Sequence, residues 1–264
     1  MAILQIEYYS EILGMVRNVN VIYPETVKNP DENVPTTDIP VLYLLHGMSG
    51  NQDTWLNRSG IDRLVRNTNL AVVMPSTDLA WYTNTTYGAR YFDAIASELP
   101  KVLQNFLPNL SSKREKNFIA GLSMGGYGAF KLALATNQFS YAASLSGAIS
   151  FKHLAATDLG DEAYWQGIFG DLGKFDESDN SVQKLAADFT EKFGTDKPKL
   201  YAWCGYQDFL YEANHFAVKD LQDKGFDISY DTSDGKHEWY YWTKMLDRVL
   251  DFLPIKYNQE ERLS

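Results

Sequence analysis

The segment 117–128 reads NFIAGLSMGGYG, and it decides the fold. The apolar run Asn117–Ala120 predicts a buried strand, and the residues Met124–Ala135 have the spacing of a helix. Between them lies a Gly-x-Ser-x-Gly pattern centred on Ser123, which at a strand-to-helix junction is typical of a sharp turn with an exposed serine. Ser123 is therefore the candidate nucleophile, and the helix N-terminus beneath it would stabilise negative charge.

Strands and helices alternate on both sides of this segment. Further apolar runs predict strands at Val41–Leu45, Leu70–Met74, Tyr141–Leu145, Leu200–Trp203 and Phe226–Tyr230. Helical spacing is found at Ile61–Asn67, Arg90–Phe106, Glu212–Lys224 and Glu238–Phe252. This alternation predicts a mostly parallel sheet with helices on both faces, and together with the Gly-x-Ser-x-Gly turn it predicts an α/β-hydrolase fold. The first two strands, Ile3–Tyr9 and Arg17–Tyr23, have a short connection and are predicted to form an antiparallel pair at one edge.

Length and charge limit the remaining possibilities. The 264 residues suit a single α/β domain, 1–264, and a cap-like insertion is predicted at about 150–198, where the chain becomes polar but keeps several aromatic residues. The net charge of −10 argues against nucleic acid and anionic membranes as partners. The N-terminus lacks the pattern of a secretion signal, and no apolar stretch is long enough to span a membrane, so a cytoplasmic protein is expected.

A serine hydroxyl needs a base, and four histidines compete for that role. His237 lies in a loop between the last predicted strand and the last predicted helix. In this fold type the chain order is serine, acid, histidine, which leaves only His215 and His237 late enough. His215 falls inside a predicted helix, and His153 lies early in the insertion, so His237 is the predicted base.

The acid that orients the base is predicted at Asp208, which directly follows the strand run Leu200–Trp203. A carboxylate there would accept a hydrogen bond from the imidazole and stabilise the imidazolium. The alternative for Asp208 is that it only caps the next helix. Two other residues are rivals for this role. Glu212 lies inside a predicted helix, and Asp231 lies at the end of the next predicted strand, one loop later than Asp208.

An oxyanion hole and a substrate pocket are predicted from neighbouring loops. The backbone N–H groups of Met48 and Met124 are the candidate donors, since they follow an early strand and the nucleophile respectively. His46 is interpreted as a residue that braces this loop. Aromatic residues in nearby loops are candidates for substrate binding, with a role in the core as the alternative for each: Trp81, Tyr82, Tyr87, Trp165 and Trp239.

Four stretches, LYLLHGMSGN, FIAGLSMGGYGAFKLAL, WCGYQDFLY and GKHEWYYW, occur in that order and resemble the esterase D family. Within it, the chain looks most similar to the tributyrin esterases of streptococci and lactococci. The resemblance implies a serine carboxylesterase for short-chain acyl esters, a homo-oligomer, and no metal or other cofactor. It also implies a triad of Ser123, Asp208 and His237, with Met48 and Met124 in the oxyanion hole.

Three alternatives remain open on sequence alone. An acyltransferase would use the same triad with an alcohol in place of water. A binding module on a hydrolase scaffold would need no chemistry, because fold does not fix function. A peptidase would act on amides. The single cysteine, Cys204, follows an apolar run and is predicted to be buried and unreactive.

Overall fold

The computed structural model describes residues 1–25, 35–151 and 159–258, and in these residues the chain forms a sheet of eight strands. The strands are β1 (Ala2–Ser10), β2 (Met15–Tyr23), β3 (Val41–Leu45), β4 (Ala71–Pro75), β5 (Asn117–Leu122), β6 (Tyr141–Leu145), β7 (Lys199–Gly205) and β8 (Ile228–Ser233). Their spatial order is β1-β2-β4-β3-β5-β6-β7-β8. Strand β2 runs antiparallel to β1 and β4, and the other pairs are parallel. The predicted sheet with its antiparallel edge pair is confirmed.

Both faces of the central strands are buried. In β3, Val41, Tyr43 and Leu45 enter one apolar core, whereas Leu42 and Leu44 enter the other. A strand of this kind has no solvent-facing side, which is why its sequence is a continuous apolar run and not an alternating one.

Helices build the two layers that cover the sheet. They are α1 (Thr54–Ser59), α2 (Ile61–Leu64), α3 (Tyr91–Asp93), α4 (Leu99–Phe106), α5 (Met124–Ala135), α6 (Glu162–Phe169), α7 (Val182–Phe193), α8 (Tyr211–Asp223) and α9 (Trp239–Phe252). Buried side chains of α1, α2 and α9 share one core, and those of α4, α5, α7 and α8 share the other. A π-helical turn, Ala94–Glu98, joins α3 to α4. The helix predicted at Ile61–Asn67 is shorter, because a turn closed by Thr68 N–H and Val65 O follows α2.

The two helices in the predicted insertion at about 150–198 pack against different parts of the fold. Its helix α7 packs on α5 and α8, with Leu185 and Phe189 in the core, so this part belongs to the helix layer. Helix α6 contacts the loop after β4, where Thr86 N–H donates to Gly167 O at 3.1 Å. For the part before α7, a cap remains a prediction. Residues 152–158, including His153, lie outside the described residues.

The sheet topology creates a crevice at the carboxyl ends of β3 and β5. These strands are neighbours, but the chain continues from β3 to β4 on one side and from β5 to β6 on the other. Open α/β sheets bind ligands at such a point. Ser123 follows β5 directly, and the loop that begins at His46 follows β3. In the described part of the chain, no helix has the length and apolar character to cross a membrane.

Candidate active site

Ser123 occupies a strained turn between β5 and α5. Its backbone has φ 53° and ψ −120°, a conformation that a residue with a side chain rarely adopts. Hydrogen bonds on both sides hold it: the Ser123 N–H donates to Leu145 O at 2.9 Å, and Ser123 O accepts from Tyr127 N and Ala148 N. The strain is therefore maintained by the surrounding backbone and projects the Ser123 hydroxyl out of the sheet.

The glycines of the Gly-x-Ser-x-Gly pattern allow the backbone to pass through a crowded space. A Cβ on Gly125 would lie 2.4 Å from the carbonyl oxygen of Leu45, and one on Gly121 would lie 2.3 Å from that of Gly125. No real Cβ tolerates such contacts, so only glycine lets α5 begin this close to β3 and β5. This packing brings the turn at Ser123 next to the loop after β3.

The predicted base and acid meet Ser123 in one hydrogen-bonded line. Nε2 of His237 lies 3.0 Å from Oγ of Ser123, and Nδ1 of His237 lies 2.9 Å from Oδ2 of Asp208. The Asp208 side chain is fully buried, and its Oδ1 also accepts the Leu210 N–H at 2.9 Å. The structure thus brings together three side chains that are far apart in the sequence.

The rival residues lie elsewhere. His215 and Glu212 are exposed on α8. The Asp231 carboxylate accepts a hydrogen bond from the Tyr201 hydroxyl at 3.0 Å and does not contact His237. Cys204 is buried on β7, where desolvation raises the pKa of its thiol and keeps it protonated.

The loop after β3 lies against the candidate nucleophile. A Cβ on Gly47 would be only 3.3 Å from Cβ of Ser123. Within the described residues, neither the Met48 N–H nor the Met124 N–H donates a hydrogen bond to a protein acceptor. Both candidate oxyanion donors therefore remain available to a bound molecule. His46 is fully buried beneath the loop, and burial lowers the pKa of its imidazole to about 4.

A cavity of about 520 Å³ opens directly above Ser123. This volume suits a small-molecule ligand. The lining residues described are Gly47, Met48, Ser49, Gly50, Thr54, Arg58, Leu122, Ser123, Leu159, Phe209, His237, Glu238, Trp239 and Trp242. The wall combines polar and apolar surface in similar measure, and Arg58 and Glu238 add one charge of each sign.

The predicted substrate-binding aromatics lie in three different settings. Trp239 lines the cavity. Trp81, Tyr82 and Trp165 are buried in the core and are not among the residues that line the cavity, which fits the alternative role in the core for these three. Their rings pack below the loops, since the Tyr82 hydroxyl donates to His46 O at 2.8 Å and Trp81 packs edge-on against Trp165. Tyr87 is 63 % exposed and also lies outside the wall.

Sequence reasoning missed several cavity residues. Phe209 follows the predicted acid directly, and Trp242 lies on the first turn of α9, one helical turn from Glu238. Their rings contact His237 at centroid distances of 4.7 and 4.8 Å. Proximity to Asp208 and His237 in the sequence was the available signal. Leu159 and Arg58 have no such signal, because they reach the site only through the tertiary fold.

In the described ranges, no group of three or more His, Cys, Asp or Glu side chains is placed to hold an ion.

Known proteins that resemble this chain include esterases and other hydrolases. The model of a family described as "Putative esterase" matches residues 10–253. An acetyl esterase of Caldicellulosiruptor saccharolyticus is 32 % identical over 265 residues, covering 96 % of this chain and 98 % of that protein. Among solved structures, the substrate-bound fluorophosphonate-binding serine hydrolase F of Staphylococcus aureus is 31 % identical, with a TM-score of 0.85. The S-formylglutathione hydrolase of the same species, without ligand, is 31 % identical with a TM-score of 0.83. Each of these two covers 96 % of this chain and 98 % of its own.

Proposed function

The chain belongs to the esterase family whose model it matches, and on that premise we propose that it cleaves short-chain acyl esters with Ser123 as nucleophile. Membership of this family and the serine hydrolase neighbours make it a serine carboxylic ester hydrolase. The observation that carries the assignment of residues is the unbroken line from Asp208 through His237 to Ser123, with contacts of 2.9 and 3.0 Å.

Acylation begins when Oγ of Ser123 attacks the ester carbonyl carbon. Nε2 of His237 takes the hydroxyl proton, and the imidazolium is stabilised by the buried carboxylate of Asp208. The carbonyl oxygen becomes an oxyanion and accepts hydrogen bonds from the N–H groups of Met48 and Met124. Loss of one such donor in other hydrolases costs about 10²–10³ in kcat. The C–O bond to the alcohol then breaks, and His237 gives its proton to the departing oxygen.

Deacylation repeats these steps with water. His237 takes a proton from water, the resulting hydroxide attacks the acyl carbon, and the same two N–H groups bind the new oxyanion. The bond to Oγ breaks, and the proton returns from His237 to Ser123. One ester and one water thus yield one acid and one alcohol.

The preference for short acyl chains rests on two supports. The cavity is bounded by bulky side chains, with Phe209, Trp239 and Trp242 beside the candidate base. The relative at 32 % identity is an acetyl esterase, which acts on a small acyl group. Cleavage of tributyrin and assembly into a homo-oligomer, both implied by the resemblance to the tributyrin esterases, remain predictions.

The deciding experiment measures hydrolysis of a p-nitrophenyl ester series, from acetate to octanoate, by the wild type and by Ser123→Ala. We expect the highest kcat/KM at the shortest chains and a loss of activity in the variant to the residual level of a triad knockout. A fluorophosphonate probe should label the wild type and not Ser123→Ala.

Each contrary outcome has a distinct meaning. Activity that survives the substitution would remove Ser123 from the mechanism. Maximal activity on octanoate would overturn the short-chain proposal and leave the triad standing. Ester formation with an added alcohol as the main product would identify the chain as an acyltransferase.

A further inference from the structure

His46 makes two hydrogen bonds that fix its tautomer. Its Nε2 lies 3.1 Å from the backbone nitrogen of Thr77, and its Nδ1 lies 2.8 Å from the carbonyl oxygen of Gly47. A backbone N–H can only donate, so Nε2 is the acceptor. The ring proton is therefore on Nδ1, which donates to Gly47 O.

The environment keeps this arrangement constant. Burial lowers the pKa of His46 to about 4, so the ring is neutral wherever a serine esterase works. The charged groups that face it are Asp78 and Arg17, which pair with each other at 2.9 Å. His46 is thus not placed to act as an acid or base, and its polar atoms serve only the two backbone groups.

The carbonyl held by His46 belongs to the same peptide unit as the Met48 N–H. The C=O of Gly47 and the N–H of Met48 share one plane and point in opposite directions across a trans bond. Fixing the carbonyl on one side therefore fixes the direction of the N–H on the other. Gly50 N–H also donates to this carbonyl, at the longer distance of 3.1 Å.

We propose that His46 is a positioning residue for the oxyanion hole, which aims the Met48 N–H at the developing oxyanion by holding the Gly47 carbonyl. This inference rests on the proposed function, because it needs Met48 as an oxyanion donor. A hydrogen bond to the carbonyl also polarises the peptide and strengthens its N–H as a donor.

The rest of the loop is anchored in the same manner. The Tyr82 hydroxyl donates to His46 O at 2.8 Å, and the Trp55 indole N–H donates to Leu45 O at 2.9 Å. Three buried side chains therefore bind three successive carbonyls, those of Leu45, His46 and Gly47. A donor fixed before the reaction costs no reorganisation when negative charge develops.

Two substitutions separate positioning from general stability. In His46→Asn the amide nitrogen replaces Nδ1 and can still donate to Gly47 O. In His46→Gln the amide oxygen replaces Nε2, so only the hydrogen bond accepted from the Thr77 N–H is retained. We expect kcat to fall roughly 10- to 100-fold in His46→Gln with little change in KM, less than for a deleted donor because Gly50 still holds the carbonyl. His46→Asn should regain most of the lost kcat.

Binding of a trifluoromethyl ketone, which forms an oxyanion with the serine, gives the second readout. Its affinity should fall in parallel with kcat in His46→Gln, and melting temperatures of both variants should be measured alongside. Equal loss of kcat in the two variants, or a loss that follows stability alone, would overturn the inference. Absence of Ser123-dependent activity in the wild type would instead overturn the proposed function.

Discussion

The Oδ2 atom of Asp208 lies 2.9 Å from Nδ1 of His237, and the side chain that carries it is completely shielded from solvent. Its other oxygen accepts the Leu210 N–H. This carboxylate has no solvent to satisfy it, so its hydrogen bonds to His237 and Leu210 fix its orientation. The orientation of His237 is thereby constrained from the loop that follows β7.

We predict that Asp208→Asn lowers kcat on p-nitrophenyl acetate by about 10³- to 10⁴-fold with intact folding, as seen when the triad carboxylate of a serine protease is replaced by its amide. The amide would donate to Nδ1 and hold the imidazole in the wrong tautomer. Asp231→Asn is the matched control, because the Asp231 carboxylate accepts its hydrogen bond from the Tyr201 hydroxyl. This substitution should leave kcat near that of the wild type. Asp208→Asn with nearly full activity would exclude Asp208 as the orienting acid.

The contact of Gly125 with Leu45 leads to a prediction about stability. Gly125→Ala should lower the free energy of unfolding by about 1–3 kcal/mol or prevent folding, because the added methyl would lie 2.4 Å from Leu45 O. Gly167→Ala is the control, since a Cβ there meets nothing within 4 Å inside α6. It should raise the free energy of unfolding by about 0.5–1 kcal/mol. Urea denaturation of both variants checks the pair, and equal effects would contradict the steric argument.

The buried Lys131 of α5 predicts a pH dependence. Its ammonium group donates to Asn180 and Thr83, and burial lowers its pKa from 10.5 to about 7, against the opposing effect of Asp179 and Asp93. Between these two values the unfolded chain holds a proton that the folded chain has released. The free energy of unfolding therefore rises with pH between about pH 7 and pH 10.5, as far as it depends on Lys131.

Lys131→Met removes that dependence. The free energy of unfolding of the wild type minus that of the variant should rise by up to about 1.4 kcal/mol per pH unit above neutrality. Urea denaturation of both proteins at about pH 7, 8 and 9 measures the difference. A difference that stays constant over this range would show that Lys131 keeps the same charge in both states.

Two tryptophans that the sequence could not tell apart should respond differently. Trp239 lines the cavity, so Trp239→Ala should raise the ratio of octanoate to acetate hydrolysis by enlarging the space for the acyl chain. Trp81 is buried and donates to the Tyr164 hydroxyl at 2.9 Å. Trp81→Phe should lower the free energy of unfolding by roughly 1–3 kcal/mol and leave the substrate ratio unchanged. A changed ratio in Trp81→Phe would place that ring at the substrate after all.

The sequence predicted the elements and their order because local patterns encode them. Continuous apolar runs marked β3, β5 and β6, and the Gly-x-Ser-x-Gly pattern marked the turn at Ser123 before α5. Helices α1, α6 and α7 were not predicted. Helix α1 buries only Trp55 and Ser59, and α6 and α7 lie in the polar stretch that was interpreted as an insertion. Chain order within the fold type then pointed to Asp208 and His237, which the tertiary structure places together.

Only the tertiary structure decided which side chains surround Ser123. Trp81 and Trp239 are both aromatic residues near the predicted site and were equal candidates for substrate binding. Trp81 packs in the core, whereas Trp239 lines the cavity. The role proposed for His46 rests on its distances to Gly47 and Thr77, which no local pattern contains. Periodicity reports which face of an element is buried, but the identity of the neighbours across a crevice is fixed by how separate strands and loops pack.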